Sequence, residues 1–375
     1  MMAPMPTRRN FFAQMSAAAI ASRMLPEAAY AQRAAVKGSL AKEMVWLNAN
    51  ENPAGPPQCS LDAMHAVMPS SGRYHYNEFG DIAATVAKSE GLGPENIVLG
   101  CGSSEVLHTA VDLFTSPTRP LITVSPAYEG PRDAARNLGH TVVLTKLRDD
   151  YTADVRKMAE EAAKARGGLI YLCNPNNPTS ACTNANDVDW LVNNLPANTI
   201  LLVDEAYIHF VDRPDVKSAI PYIKQGKPVM VARTFSKIYG MAGLRAGFML
   251  ARPDISEQLG RMALNVISIV TARAVVAALA DRDNILRDRK TALVKTRREL
   301  TAWLHERGVR FIEPNANFLM IDTGRNAREF IDKMPALGVA PGRPFPPLDN
   351  MLRVSIGTDP DMARFRDVFW KVYKG

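Results

Sequence analysis

The chain has 375 residues, enough for two domains of roughly 100–200 residues each, and its 47% hydrophobic and 22% charged residues exclude a largely disordered protein. The formal charge is +7, from 45 basic and 38 acidic residues. Arg8, Arg9, Arg23 and Glu27 contribute a net +2 within the first 31 positions, and the remaining +5 is interspersed, so no nucleic-acid partner is indicated. Cys59, Cys101, Cys173 and Cys182 have no metal-ligand spacing and read as free thiols. After the N-terminus no apolar run is long enough to span a bilayer.

The first informative segment is Thr7-Arg8-Arg9-Asn10-Phe11-Phe12, followed by a mildly apolar stretch from Ala13 to Ala21 and then Ala29-Tyr30-Ala31. A charged region, a short apolar region and a small-residue cleavage site have this layout. The paired arginines before Phe resemble a twin-arginine export signal over residues 1–31, which implies a periplasmic or otherwise exported protein. The competing reading is a cytoplasmic protein with an N-terminal extension.

From about residue 96 short apolar runs alternate with helical stretches. The expected strands are 97–99, 121–124, 141–144, 169–173, 200–203, 229–232 and 246–250. Their near-continuous apolar character suits strands covered by helices on both faces, so the fold class is α/β with a mostly parallel sheet. Beyond about residue 254 the pattern changes to a long helix over 284–306, strands over 311–322 and 351–356, and helices over 327–334 and 360–373. These read as a smaller α+β domain. The expected organisation is residues 71–260 as the large domain, 261–375 as the small one, and 40–70 packing with the latter.

Chemistry-bearing motifs follow the strands. Thr234-Phe235-Ser236-Lys237 begins a turn-rich stretch that continues through Arg245 to Phe248. A lysine here can attack an aldehyde once burial or neighbouring charge frees its amine, while Ser236 and Arg245 can grip a phosphate. Asp204-Glu205-Ala206-Tyr207 ends the run 200–203, and a carboxylate at the C-terminal edge of a parallel strand faces the usual ligand crevice. A helix-capping aspartate is the plainer alternative. Asn174-Pro175-Asn176-Asn177-Pro178-Thr179 follows 169–173 and otherwise reads as a turn. Gly100-Cys101-Gly102-Ser103-Ser104-Glu105 leads into a helix, whose N-terminal amides and dipole favour an anion. Tyr128 follows another strand end in Ser125-Pro126-Ala127-Tyr128.

The string from Thr234 to Phe248 resembles the lysine motif of class I/II pyridoxal 5'-phosphate (PLP) aminotransferases, and the other motifs keep that family's order over roughly residues 40–373. The resemblance implies the fold-type I PLP architecture. In it Lys237 holds the cofactor as a Schiff base and then acts as general base, and Asp204 keeps the ring nitrogen protonated. Tyr207 and Asn177 bond the ring's phenolic oxygen, and Tyr128 stacks on the ring. Gly102, Ser103, Ser104, Thr234, Ser236 and Arg245 surround the phosphate. Serine at position 180 departs from the family's usual glycine after Thr179, which bears on the tightness of the turn.

Two features resemble histidinol-phosphate aminotransferase more narrowly. Asn48-Ala49-Asn50-Glu51-Asn52-Pro53 with Arg73-Tyr74-His75-Tyr76 implies that Asn52 lies at the substrate. It also implies that Tyr76 reaches the cofactor phosphate of a neighbouring subunit, hence a homodimer. Leu352-Arg353-Val354-Ser355 matches the strand whose arginine pairs with the substrate carboxylate or its counterpart. Arg343, in the Gly/Pro/Phe-rich stretch 338–347, corresponds to a phosphate-binding arginine, or else sits elsewhere or on a carboxylate. The expected reaction moves an amino group from histidinol phosphate or an aromatic amino acid to a 2-oxo acid, with no metal. The alternative is decarboxylation of an amino acid or amino-acid phosphate on the same fold.

Overall fold

A two-residue strand, β1 (Val45–Trp46), precedes seven strands of one sheet: β2 (Ile97–Gly100), β3 (Leu121–Ser125), β4 (Val142–Lys146), β5 (Gly168–Cys173), β6 (Thr199–Asp204), β7 (Val229–Thr234) and β8 (Gly247–Leu250). The structure is a computed structural model that describes residues 43–263 and 266–375, so the export signal expected over residues 1–31 lies outside the described residues. The strand order is β2-β8-β7-β6-β5-β3-β4. All seven expected runs form strands. β8 runs antiparallel to both its neighbours, whereas β3 to β7 pair in parallel.

Strand periodicity divides the sheet between two cores. Ile170, Leu172, Leu201, Val203, Val229 and Val231 enter one apolar cluster, and Leu169, Tyr171, Cys173, Leu202, Met230 and Ala232 enter another. Successive side chains on a strand point to opposite faces, so a strand buried on both sides must be apolar throughout. Each large aliphatic chain buried this way contributes ~1.5–3 kcal/mol. Because β3, β5, β6 and β7 are parallel, their C-terminal ends share one edge, and Tyr128, Asn177, Asp204 and Lys237 all lie at or just beyond those ends.

The C-terminal region builds a further core around helix Arg282–Glu306, β9 (Phe318–Asp322), β10 (Val339–Ala340), β11 (Met351–Ser355) and helix Asp359–Lys374. β11 lies antiparallel to β9 with Arg353 opposite Met320, and β1 pairs in parallel with β10. Thr358 and Asp361 form a reciprocal capping box that starts the last helix. The strand expected over 311–322 is shorter than the sequence indicates. Phe311 makes only an isolated bridge to Ile321, and β9 begins at Phe318. Pro314 has no N–H to give a ladder, and the amides of Asn315 and Ala316 donate to Ser180 Oγ at 2.9 and 2.8 Å.

Candidate active site

Asp204 ends β6 and is 3% exposed. Its carboxylate accepts the Tyr171 hydroxyl at 2.8 Å and the Ala206 amide at 3.1 Å. Burial pushes its pKa up to about 6, against the opposing pull of these two donors and of the nearby Lys237 charge. A carboxylate held in so dry a setting calls for a cation opposite it. The adjacent Glu205 plays a different part. It accepts from Arg233 at 2.7 Å, from Ser218 at 2.8 Å and from the Ala219 amide at 2.6 Å, locking β6 to β7.

Beside Asp204 a hydrogen-bonded chain crosses the site. The Tyr207 hydroxyl receives Asn50 Nδ2 at 3.2 Å and Asn177 Nδ2 at 3.5 Å. Asn177 Oδ1 accepts from Arg353 Nη1 at 2.9 Å, and Arg353 Nη2 donates to the Asn48 carbonyl at 2.5 Å. Lys237 Nζ lies 3.3 Å from the Ala49 carbonyl and 5.6 Å from the Tyr207 ring centroid. Lysine, aspartate, tyrosine and asparagine thus converge, and Arg353 joins them through Asn177.

The other end of the site is shaped for an anion. Gly102 precedes helix Ser103–Phe114 with φ +86°, and Ser103 and Ser104 are its first residues. A Cβ at Gly102 would lie 2.2 Å from Arg245 Nη2, and one at Gly247 would lie 2.2 Å from the Ser103 amide nitrogen. These two glycines therefore leave the helix's first amides open under a guanidinium. Ser236 Oγ accepts from Thr234 at 2.9 Å and lies 3.5 Å from Arg245 Nη1. An anion cradle, an amine and a buried acid on one sheet edge fit a phosphorylated cofactor with a carbonyl and a basic ring nitrogen.

The remaining expected residues fall at the margins. Tyr128 is half-buried and packs against the sheet core. Asn52 donates to the Ile238 carbonyl at 3.0 Å, one residue beyond the lysine. Tyr76 is 65% exposed and stacks on Tyr74 with ring centroids 4.9 Å apart, at the surface of this chain. Arg343 is ion-paired to Glu129 and stacks over Phe345 at 4.3 Å. Ser180 takes the left-handed φ of 62° that glycine usually supplies, and its hydroxyl accepts the two amides at Asn315 and Ala316. The turn closes with serine.

Asn50, Tyr171 and Glu129 join the site without having been singled out in the sequence. Asn50 stands inside the Asn48–Pro53 motif, two positions before Asn52, and its φ of 52° is an asparagine signal only once the backbone is known. Tyr171 is hidden in an apolar strand. Glu129 directly follows Tyr128, and this adjacency is the one signal the sequence offers for it.

Comparisons with known proteins agree with this geometry. Residues 42–369 match the family model for aminotransferase class I and II. A histidinol-phosphate aminotransferase of Symbiobacterium thermophilum is 33% identical over 86% of this chain and 89% of its own length. An aromatic amino acid aminotransferase of Cutibacterium acnes is 29% identical over 88% and 93%. The crystal structure of histidinol-phosphate aminotransferase from Sinorhizobium meliloti in complex with pyridoxal-5'-phosphate superposes with a TM-score of 0.84 at 26% identity, covering 94% of this chain and 95% of that one. The relatives named here are aminotransferases, which disfavours the decarboxylase alternative. The chain belongs to the aminotransferase class I and II family and is a PLP-dependent aminotransferase.

Proposed function

We propose that this enzyme takes the amino group of histidinol phosphate or an aromatic amino acid and passes it to a 2-oxo acid, with Lys237 carrying the proton. The observation that supports this reading is the continuous set of contacts from Lys237 and Tyr207 through Asn177 to Arg353. When bound, PLP supplies an aldehyde that condenses with amines and a ring that accepts electron density from the substrate α-carbon.

The chain's own residues do the rest. Lys237 Nζ, half-buried just beyond the end of β7, takes the substrate α-proton and returns it on the other side of the exchange. Asp204 holds the opposing negative charge where a protonated ring nitrogen needs it, and that nitrogen's charge lowers the aspartate's own pKa in return. Tyr207 and Asn177 present hydrogen-bonding groups to the ring's phenolic oxygen. Arg353 offers its guanidinium to the carboxylate of an amino-acid donor or to its counterpart, the phosphate of histidinol phosphate, a geometry suited to a bidentate pair. The Ser103 amide, Ser236 and Arg245 hold the phosphate. Exposed Tyr74 and Tyr76 fit the edge of a homodimer in which Tyr76 completes the partner's phosphate site. Export by the twin-arginine route rests on Arg8, Arg9 and Phe11.

The test is the absorbance spectrum of the holoenzyme titrated with histidinol phosphate, phenylalanine or tyrosine without an oxo acid. Conversion of the lysine-bound cofactor band to that of pyridoxamine phosphate is expected, and Lys237→Ala should lose that band and turn over roughly 10²- to 10⁴-fold more slowly. Carbon dioxide release instead of oxo-acid formation would overturn the reaction class.

A further inference from the structure

Glu129 is a buried carboxylate outside the cofactor machinery, with 7% of its side chain exposed, and its ion-pair partner Arg343 is 214 residues away in sequence. Arg343 is a neighbour of the substrate-side arginine. The Gly342 amide donates to the Arg353 carbonyl at 2.9 Å, and a Cβ at Gly342 would lie 2.8 Å from that same oxygen. Both guanidinia lie over one ring: Arg343 Cζ is 4.3 Å and Arg353 Cζ 4.6 Å from the Phe345 centroid. Phe345 itself is buried among Ala181, Ile312, Met320 and Met351.

We infer that Glu129 sets donor specificity by neutralising Arg343 beside Arg353, so that the site takes a donor with an uncharged side chain and rejects one carrying a second anion. The inference rests on the reading of Arg353 and Lys237 given above. A side-chain carboxylate seeking Arg343 meets donors already held by Glu129 and faces that carboxylate's charge at close range. To bind, it must pull Arg343 away and leave Glu129 buried without its counter-charge, which is strongly unfavourable. An aromatic or aliphatic side chain makes no demand on Arg343 and disturbs no charge. Rejection by an occupied cation is discrimination through repulsion.

The test compares kcat/KM of the holoenzyme for phenylalanine, glutamate and histidinol phosphate. The wild-type enzyme is expected to prefer phenylalanine to glutamate. Glu129→Gln should raise kcat/KM for glutamate relative to phenylalanine by about tenfold. The double variant Glu129→Gln/Arg343→Gln should lose that gain, because the freed cation is gone. A wild-type enzyme that favours glutamate over phenylalanine overturns the inference, and so does a Glu129→Gln holoenzyme with the wild-type ratio or a gain that persists in the double variant. A wild-type holoenzyme that converts none of the three donors overturns the reading on which the inference rests.

Discussion

The two ends of the site are assembled in opposite ways. The cofactor end is made from residues at or just beyond the ends of the parallel strands, so Asp204, Asn177 and Lys237 are placed by the sheet itself. The proposed substrate end is made from three segments far apart in sequence, at Asn48–Asn50, at Glu129 and from Arg343 to Arg353, joined by contacts that span 176 to 305 positions. A sheet edge fixes geometry firmly and tolerates little change. Side-chain contacts between distant segments can be re-paired one at a time while the sheet stays as it is, which is how one fold serves many donors.

The largest effect should come from the sheet-built end. Asp204→Asn should lower kcat by roughly a hundredfold, because the buried charge proposed to face the cofactor's ring nitrogen is lost. Its effect on the cofactor-free protein should be the reverse. The folded carboxyl titrates at about 6 against an ordinary value of 3.8, so it favours folding below pH 3.8 and loses that contribution as pH rises through 6. At about pH 8 this amounts to ~3 kcal/mol at most, and cofactor-free Asp204→Asn should melt higher than wild type there but not near pH 4. An equal or lower melting temperature at pH 8 would mean that Tyr171 and Ala206 already compensate the burial of the charge.

Next comes the substrate end. Arg353→Lys keeps the charge and removes the fork that reaches both Asn177 and the Asn48 carbonyl, so KM for the donor should rise about tenfold while the cofactor band is unchanged. A shifted band would show that the two ends are less separable than the hydrogen-bond pattern implies. The smallest effect concerns the seam between them. Ser180→Ala retains a left-handed backbone and loses the hydroxyl that accepts the Ala316 amide and shares the Asn315 amide with the Ser180 carbonyl, costing ~2 kcal/mol, whereas Ser180→Gly relieves the backbone and should cost ~1 kcal/mol or less. Thermal melts should rank wild type, then glycine, then alanine.

The same contrast explains what could be read from the chain. Lys237, Asp204 and Asn177 each follow an uninterrupted apolar run within a few positions, so strand and chemistry are legible together. Tyr171 lies inside such a run and looks like core, because nothing local says that its hydroxyl meets Asp204. Glu129 is one more charged residue until the fold brings Arg343 to it. The strand expected over 311–322 is apolar at both ends, and only the fold reveals that Asn315 and Ala316 donate to Ser180 rather than to a ladder. Local patterns encode what neighbours in sequence do; partners hundreds of positions apart leave no mark in one sequence.

The short stretch from β1 to Asn50 has a practical consequence. Leu47 is stitched to Ala340 and Ser355, Asn48 receives Arg353, Ala49 receives Lys237, and Asn50 holds Tyr207 and Ser355. A single protease nick in this ribbon would leave the sheet core and its helices untouched while releasing several of the site's supports together. Such a clipped enzyme should keep its circular dichroism and lose its turnover, a form of inactivation that melting curves alone would miss.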